Sequence, residues 1–170
     1  MSRRILIAGI GNIFLADDGF GVEVVKRLAG HELPEGVEVV DFGIRGLDLA
    51  YALQDDYETV VFVDASPRGE EPGTVYLIEP EIEAGGEVAL DTHGMDPVKV
   101  LRLARAMGGE IPKTLVVGCE PQNILNGEAY DDMLMGLSEP VEAAVEQAAK
   151  LVVSLVEEMY RAESEQEADR

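Results

Sequence analysis

The residues of this sequence best suited to chemistry are carboxylates and one histidine that follow predicted strands. Asp17 and Asp18 come after the first apolar run, Asp64 ends the third run, and His93 stands in a long loop. Ligands of open α/β sheets bind beyond the carboxyl ends of the strands, so we expect these side chains to meet at one edge. Two carboxylates and one imidazole make an open three-ligand site for nickel, zinc, manganese or a similar cation.

Each of these residues also has an ordinary structural explanation when it is considered singly. Aspartate is common at helix N-caps and strand ends, and a single histidine such as His93 is common in turns. His31 lies in a polar turn, and we expect no function for it. Cys119 follows a strand without a nearby cation that would lower its pKa, so a buried small residue is expected there. Spacing alone therefore leaves both the functional and the structural interpretation open.

Several other catalytic arrangements are excluded by their missing motifs. The chain has no Gly-x-Ser-x-Gly elbow and no His-Glu-x-x-His helix, and it contains only two histidines. Gly9-Ile10-Gly11 opens like a dinucleotide fingerprint, but Phe14 occupies the third glycine position and no Walker lysine follows. The two glycines are expected to form a sharp turn that directs Asn12 and the acidic pair to one point.

The elements that must position these residues alternate along the chain. Apolar β-branched runs predict buried strands, and a further strand after a short turn is expected to be antiparallel, in a hairpin-like excursion. This alternation predicts a single-domain three-layer α/β/α sandwich, with a mostly parallel twisted sheet and helices on both faces. The predicted strands cover residues 5–8, 37–42, 59–64, 74–78 and 115–118, and the predicted helices cover 21–29, 46–53, 96–107 and 138–161.

The ends and the composition define the domain and its surroundings. We expect one domain over 1–161 and a disordered acidic tail over 162–170, because that tail has no apolar face. A net charge of −21, from 34 acidic and 13 basic residues, makes nucleic acids and anionic membranes poor partners. The single cysteine fits a reducing compartment. Polar and glycine residues interrupt the apolar run 5–16, so it is interpreted as a strand of a cytoplasmic protein rather than a signal peptide.

Four short motifs together resemble those of the hydrogenase maturation proteases. The likeness spans roughly residues 5 to 121, and the opening motif with its acidic pair is far more specific than any single aspartate. The resemblance implies a central sheet flanked by helices and three metal-contacting, catalytic positions, which fall on Asp18, Asp64 and His93. The motifs are Gly9-Ile10-Gly11-Asn12, Asp17-Asp18-Gly19-Phe20-Gly21, Asp64-Ala65 and His93-Gly94.

The same resemblance implies a function. Such a protein is an endopeptidase that removes the C-terminal extension of a hydrogenase large-subunit precursor after nickel insertion. The nickel is supplied by the precursor, and the three protein ligands complete its coordination, for catalysis or for recognition. Many relatives carry Asp-Gly-Gly-Thr after the second strand, where this chain reads Asp41-Phe42-Gly43-Ile44-Arg45-Gly46. Two interpretations of Arg45 stay open, namely that it pairs with a carboxylate of the precursor or of the site, or that it is an ordinary surface arginine. The class of hydrogenase also stays open.

Two other classes of protein share part of this pattern. A phospho-receiver signalling domain also has an acidic pair after its first strand and an aspartate ending its third, as Asp17, Asp18 and Asp64 do. It requires a lysine after the last strand, where this chain has Gly118-Cys119-Glu120-Pro121. A peptidyl-tRNA hydrolase opens with a similar glycine turn, but its basic RNA-binding surface and nearby catalytic histidine are missing.

Overall fold

The computed structural model describes residues 4–80, 96–122 and 135–169. Strands and helices alternate through these ranges, and every predicted element is present, with bounds close to the predicted ones except at the end of the last helix. In chain order the elements are β1 (Ile5–Ile10), α1 (Phe20–Leu28), β2 (Val37–Gly43), α2 (Gly46–Ala52), β3 (Thr59–Ala65), β4 (Val75–Ile78), α3 (Pro97–Ala106), β5 (Lys113–Cys119) and α4 (Glu139–Ala168).

The strands form one sheet in the order β2-β1-β3-β5-β4. β2, β1, β3 and β5 are parallel, and β4 is antiparallel to β5. The antiparallel orientation predicted for β4 is confirmed, but its partner is not the strand that precedes it, as a hairpin would require. β3 already has β1 and β5 on its two edges, so β4 adds to the free edge of β5.

Helices cover both faces of the sheet and create two apolar cores. α1 and α4 pack on one face with Phe20, and α2 and α3 pack on the other face with Phe62. Alternate residues of the central strands face opposite cores, since side chains of a strand alternate with period two. Every residue of β1 is consequently buried. The predicted three-layer α/β/α sandwich is confirmed.

The long C-terminal helix differs from the sequence expectation. The disordered tail was expected from Ala162, whereas α4 continues to Ala168. Alanine, glutamate and glutamine are strong helix formers, so backbone propensity extends the helix without an apolar face to bury. The side chains described after Arg161 are exposed. The position where the folded domain ends stays a prediction.

Across the described ranges, the model contains no helix with an apolar stretch long enough to span a membrane.

Candidate functional site

The loop after β1 is shaped by a glycine that no other residue can replace without strain. Gly11 has a φ of 132°, and a Cβ at this position would collide with the carbonyl oxygen of Asp18. Gly11 N donates to Gly43 O over 2.9 Å, which joins this loop to the end of β2. The loop then folds back on itself, because Asn12 N donates to Asp18 Oδ2 over 2.8 Å. The predicted sharp turn therefore places the Asp18 carboxylate at the end of β1.

The start of α1 lies directly on the sheet. A Cβ at Gly21 would collide with the carbonyl oxygens of Val63 and Ile10. The helix can approach the strands this closely only because glycine has no side chain. This contact holds the acidic loop, which precedes α1, against the carboxyl ends of β1 and β3.

The two acidic residues of this loop have different roles. Asp17 is fully buried, and its carboxylate accepts hydrogen bonds from Gln122 N at 2.8 Å, Ser138 N at 2.7 Å and Ser138 Oγ at 2.9 Å. It therefore joins the chain after β5 and the segment before α4 to the loop after β1. Asp18 is partly exposed, and among the described residues its carboxylate accepts a hydrogen bond from Asn12 N alone. The structural role of Asp17 was not predicted from the sequence.

Asp64 lies at the end of β3 and is only 5% exposed. Burial raises its pKa well above the usual value, and the negative charges of Asp18 and Asp96 raise it further, while a hydrogen bond from Ala65 N–H lowers it. Burial also raises the pKa of Asp18, against the lowering effect of the Asn12 N–H. The charges of Asp18 and Asp96 thus both act on the buried Asp64 at the carboxyl end of β3.

Asp96 is the member of this acidic group that sequence reasoning missed. It is the N-cap of α3, where its Oδ1 accepts a hydrogen bond from Lys99 N over 2.9 Å. The Asp-Pro pair at the helix start indicated an N-terminus and nothing more. Only the folded chain brings this helix end to the carboxyl end of β3.

The predicted ligand set is not tested by the described residues. Asp18 and Asp64 lie at the carboxyl ends of the neighbouring strands β1 and β3, and His93 lies in 81–95, outside the described residues. Among the residues that are described, no group of three or more histidine, cysteine, aspartate or glutamate side chains is arranged to hold a metal. The metal site formed by Asp18, Asp64 and His93 stays a prediction.

A tyrosine that the sequence did not single out lies beside Asp64. Gly118 of β5 is paired with Asp64 on one side and with Tyr76 of β4 on the other. A Cβ at Gly118 would collide with the ring and hydroxyl of Tyr76, so the ring lies over this glycine, toward Asp64. The Tyr76 hydroxyl donates to Ser66 O over 2.8 Å. A glycine inside a strand often marks a close approach of another group, so Gly118 was the sequence feature that could have indicated this contact.

Burial raises the pKa of Tyr76, and the charge of Asp64 adds to this effect, while the side chain of Ser66 and the charge of Arg68 lower it. The phenol is therefore neutral at physiological pH. The charge of Asp64 therefore acts on the Tyr76 hydroxyl across Gly118.

Arg45 does not pair with the acidic site. Its Nη2 donates to Asp41 O over 2.6 Å and its Nε to Phe42 O over 3.3 Å. Its ion pair is with Asp48 of α2, at 3.6 Å. The guanidinium thus stabilises its own loop, and within the described part of the chain it pairs with no carboxylate of the site.

Cys119 is buried, as predicted. Burial, followed by the charges of Asp17 and Glu120, raises the pKa of its thiol to about 12. The thiol is protonated at neutral pH and is a poor nucleophile.

Close carboxylates with raised pKa values favour neutralisation by a proton or by a bound cation. Asp18 and Asp64 form no ion pair with any basic residue that the structure describes, so neutralisation must come from outside this part of the chain. The arrangement suits cation binding or proton transfer. Fold and site together define a class, the single-domain α/β proteins whose chemistry lies at the carboxyl ends of parallel strands.

Comparison with known proteins then identifies the family. A family model described as "HycI: Hydrogenase maturation protease" matches residues 22–155. The chain therefore belongs to the hydrogenase maturation protease family, a family of peptidases, and the resemblance found in the sequence is confirmed.

Individual relatives agree with this assignment. A protein of Methanocaldococcus jannaschii, named as a candidate hydrogenase maturation protease, is 34% identical and matches over 89% of this chain and 95% of its own. The hydrogenase expression/formation protein HupD of Rhizobium leguminosarum is 32% identical, and the match covers 90% of this chain and 74% of HupD. Among solved structures, the hydrogenase maturating endopeptidase HybD from E. coli superposes with a TM-score of 0.71, at 31% identity, over 92% of this chain and 93% of that one.

Proposed function

We propose that this protein removes the C-terminal extension of a nickel-containing hydrogenase large-subunit precursor after nickel insertion. In this proposal the nickel belongs to the substrate, and Asp18, Asp64 and His93 contact it from the protease. The observation that supports it best is the position of Asp18, held by Asn12 N after β1, and of the buried Asp64 at the end of β3, where the charge of Asp18 raises the pKa of Asp64. Two neighbouring carboxylates without a basic partner in the described chain gain stability when a substrate-borne cation arrives.

The residues of the site have different roles in the proposed reaction. A bound divalent ion polarises a carbonyl or lowers the pKa of a coordinated water, which is the chemistry that the precursor's nickel can supply. Asp64 can hold a proton or release it, because burial keeps its pKa above that of an ordinary carboxyl. Asp17 holds the loop that carries Asp18. Cys119 is not the nucleophile, since its thiol is protonated and buried.

The proposal is tested by cleavage of matched precursors. One preparation of the large-subunit precursor is loaded with nickel and the other is metal-free, and loss of the extension is followed by mass spectrometry. We expect cleavage of the loaded precursor alone, with no effect of serine or cysteine protease inhibitors. Efficient cleavage of the metal-free precursor would refute the role of nickel.

A second measurement tests the ligand set directly. Crystals soaked in cadmium, zinc or nickel are expected to show one ion contacting Asp18, Asp64 and His93, with His93 coordinating through a neutral ring nitrogen. Magnesium is a poor substitute because it prefers oxygen ligands in an octahedron. An ion bound elsewhere, with these three side chains free, would contradict the assignment.

The phospho-receiver alternative requires both residues of the acidic pair, Asp17 and Asp18, to bind a metal ion. Asp17 and Asp18 would both have to be available to a magnesium ion, but the Asp17 carboxylate accepts three hydrogen bonds within the fold. The antiparallel β4 at the sheet edge also departs from the five parallel strands of the flavodoxin-like order. Incubation with acetyl phosphate is expected to leave Asp64 unmodified, and a phosphorylated Asp64 would revive this alternative.

Location and non-protein partners remain predictions from composition. The charge of −21 disfavours nucleic acids and anionic membranes, and the single cysteine favours the cytoplasm.

A further inference from the structure

An exposed arginine stands beside the acidic site, on the loop between β3 and β4. The guanidinium carbon of Arg68 lies 5.3 Å from the centre of the Tyr76 ring, a cation–π contact. Arg68 follows the end of β3 by three residues, so it shares the carboxyl edge of the sheet with Asp64. Tyr76 therefore contacts Arg68 through its ring and is separated from Asp64 in the sheet by Gly118 alone.

The backbone at Arg68 is held by a buried carboxylate. Arg68 N donates to Glu120 Oε2 over 2.6 Å, and Glu120 is only 6% exposed. The far end of the same loop is joined to the main chain of Glu120, since Gly73 N donates to Glu120 O over 2.8 Å and Glu120 N donates to Thr74 O over 2.9 Å. Glu120 thus fixes both ends of the loop that carries the arginine.

The ring under the guanidinium is equally well fixed. The Tyr76 hydroxyl bonds to Ser66 O, and its ring fills the space that Gly118 leaves open. A rigid aromatic platform reduces the entropy that a long side chain loses on binding. Arg68 is consequently presented in a defined place, although its side chain is exposed.

The guanidinium has no carboxylate partner within the described ranges. Arg4, Arg27 and Arg45 each form an ion pair with an acidic residue, whereas Arg68, like Arg102, Arg105 and Arg161, forms none within the described ranges. Arg68 differs from those three because its guanidinium lies over a fixed aromatic ring. A planar guanidinium with free donors matches a carboxylate in a bidentate geometry.

We propose that Arg68 is a specificity-determining residue that binds a carboxylate of the peptide substrate beside the scissile bond. The inference rests on the proposed function and adds a recognition feature to it. The acidic surroundings repel negatively charged segments of a substrate, so one fixed arginine determines where a carboxylate is accepted and sets the register of the peptide. The carboxylate is either an acidic side chain near the cleavage point or the terminus of the extension.

Steady-state cleavage of the nickel-loaded precursor tests this role. We expect Arg68→Ala to raise KM about tenfold and to change kcat by less than about twofold, because ground-state and transition-state binding are weakened alike. Arg68→Lys keeps the charge but loses the planar guanidinium, so its KM is expected to lie between those of the wild type and Arg68→Ala. Added salt is expected to reduce the difference in KM between the wild type and Arg68→Ala. Arg105→Ala is the matched control, since Arg105 is also exposed but lies in the last turn of α3, away from the N-terminal Asp96.

A charge exchange identifies the carboxylate. Each acidic residue near the cleavage point is replaced by lysine in the precursor, and we expect one such precursor to be cut poorly by the wild type and better by Arg68→Glu. If the terminus is the ligand, lengthening the extension by a glycine-serine segment is expected to raise KM for the wild type but not for Arg68→Ala.

Two failures are distinguishable. Normal cleavage by Arg68→Ala with an unchanged KM, or an equal rise for Arg105→Ala, overturns the role of Arg68 and leaves the proposed function intact. A wild type that cuts no nickel-loaded precursor overturns both.

Discussion

The carboxylate of Asp17 accepts hydrogen bonds from both the backbone N–H and the hydroxyl of Ser138, at 2.7 and 2.9 Å. The two residues are 121 positions apart in the chain and lie at the starts of different helices. Among the residues that the structure describes, the neighbouring Asp18 has no comparable long-range hydrogen bond. One aspartate of the acidic pair therefore stabilises the fold, and the other remains available to the site.

Asp17→Ala is predicted to be strongly destabilising. It leaves buried donors of Gln122 and Ser138 without an acceptor, which costs about 2 to 4 kcal/mol of unfolding free energy. Urea unfolding followed by circular dichroism measures this loss. Asp18→Ala is the matched control and is expected to change stability by under about 1 kcal/mol. Equal effects of the two substitutions would show that the roles are not divided.

Asp64→Asn is predicted to stabilise the isolated protein at neutral pH. The folded pKa of Asp64 is raised, so the native state binds more protons than the unfolded state above the unfolded pKa of about 3.9. Stability is therefore lost as pH rises through the window up to the raised folded pKa. The advantage of the variant should be small near pH 4 and grow to a plateau at higher pH.

Melting temperatures of wild type and Asp64→Asn across this pH range provide the measurement. Asp55→Asn, at an exposed position before β3, is the control and should show no such trend. An advantage of Asp64→Asn that shrinks as pH rises would contradict the assigned direction.

Gly21→Ala is predicted to push α1 away from the sheet. The added methyl group would meet the carbonyl oxygens of Val63 and Ile10, which cannot move without breaking the strands. We expect a loss of about 1 to 3 kcal/mol, together with weaker cleavage, because the acidic loop moves with the helix. At Gly30 the nearest atom to an added Cβ is Arg27 O, at 3.6 Å. Gly30→Ala should thus leave both stability and cleavage almost unchanged, and thermal melts with precursor cleavage check both.

Substitutions at the predicted ligands separate chemistry from folding. Asp18→Asn, Asp64→Asn and His93→Ala are each expected to lower cleavage of nickel-loaded precursor by at least about a hundredfold. Circular dichroism spectra should stay native, since residues at strand ends contribute little to the core. Asp55→Asn should cut normally. Full removal of the extension by all three variants would refute the site.

The end of α4 allows a truncation test. Removal of the chain after Arg161 should change the free energy of unfolding by under about 0.5 kcal/mol, because the described side chains beyond it are exposed. Removal after Glu158 also deletes Tyr160, whose hydroxyl donates to Glu35 O over 2.6 Å, and Met159, which packs against the core. This shorter chain should melt several degrees lower. A large loss from the first truncation would show that the terminal turns contribute to the fold.

Local patterns in the sequence determined most of the architecture. β-branched runs, helical periodicity and glycine turns depend on neighbours along the chain, so strands, helices and the α/β/α class were predictable. Asp18 and Asp64 were also predictable as neighbours, because parallel strands bring their carboxyl ends to one edge. The same local reasoning ended the last helix at Arg161, whereas intrinsic helix propensity continues α4 to Ala168.

Tertiary structure decided how particular side chains are used. Nothing in the adjacent letters of Asp17 and Asp18 shows which one is buried, because Ser138 comes to Asp17 only when α4 packs on the sheet. β4 pairs with β5 for a similar reason, since both edges of β3 are already occupied. The contacts of Tyr76 with Gly118 and Arg68 follow from that pairing. Contacts between residues far apart in the chain depend on the packing of whole elements, which local sequence patterns do not encode.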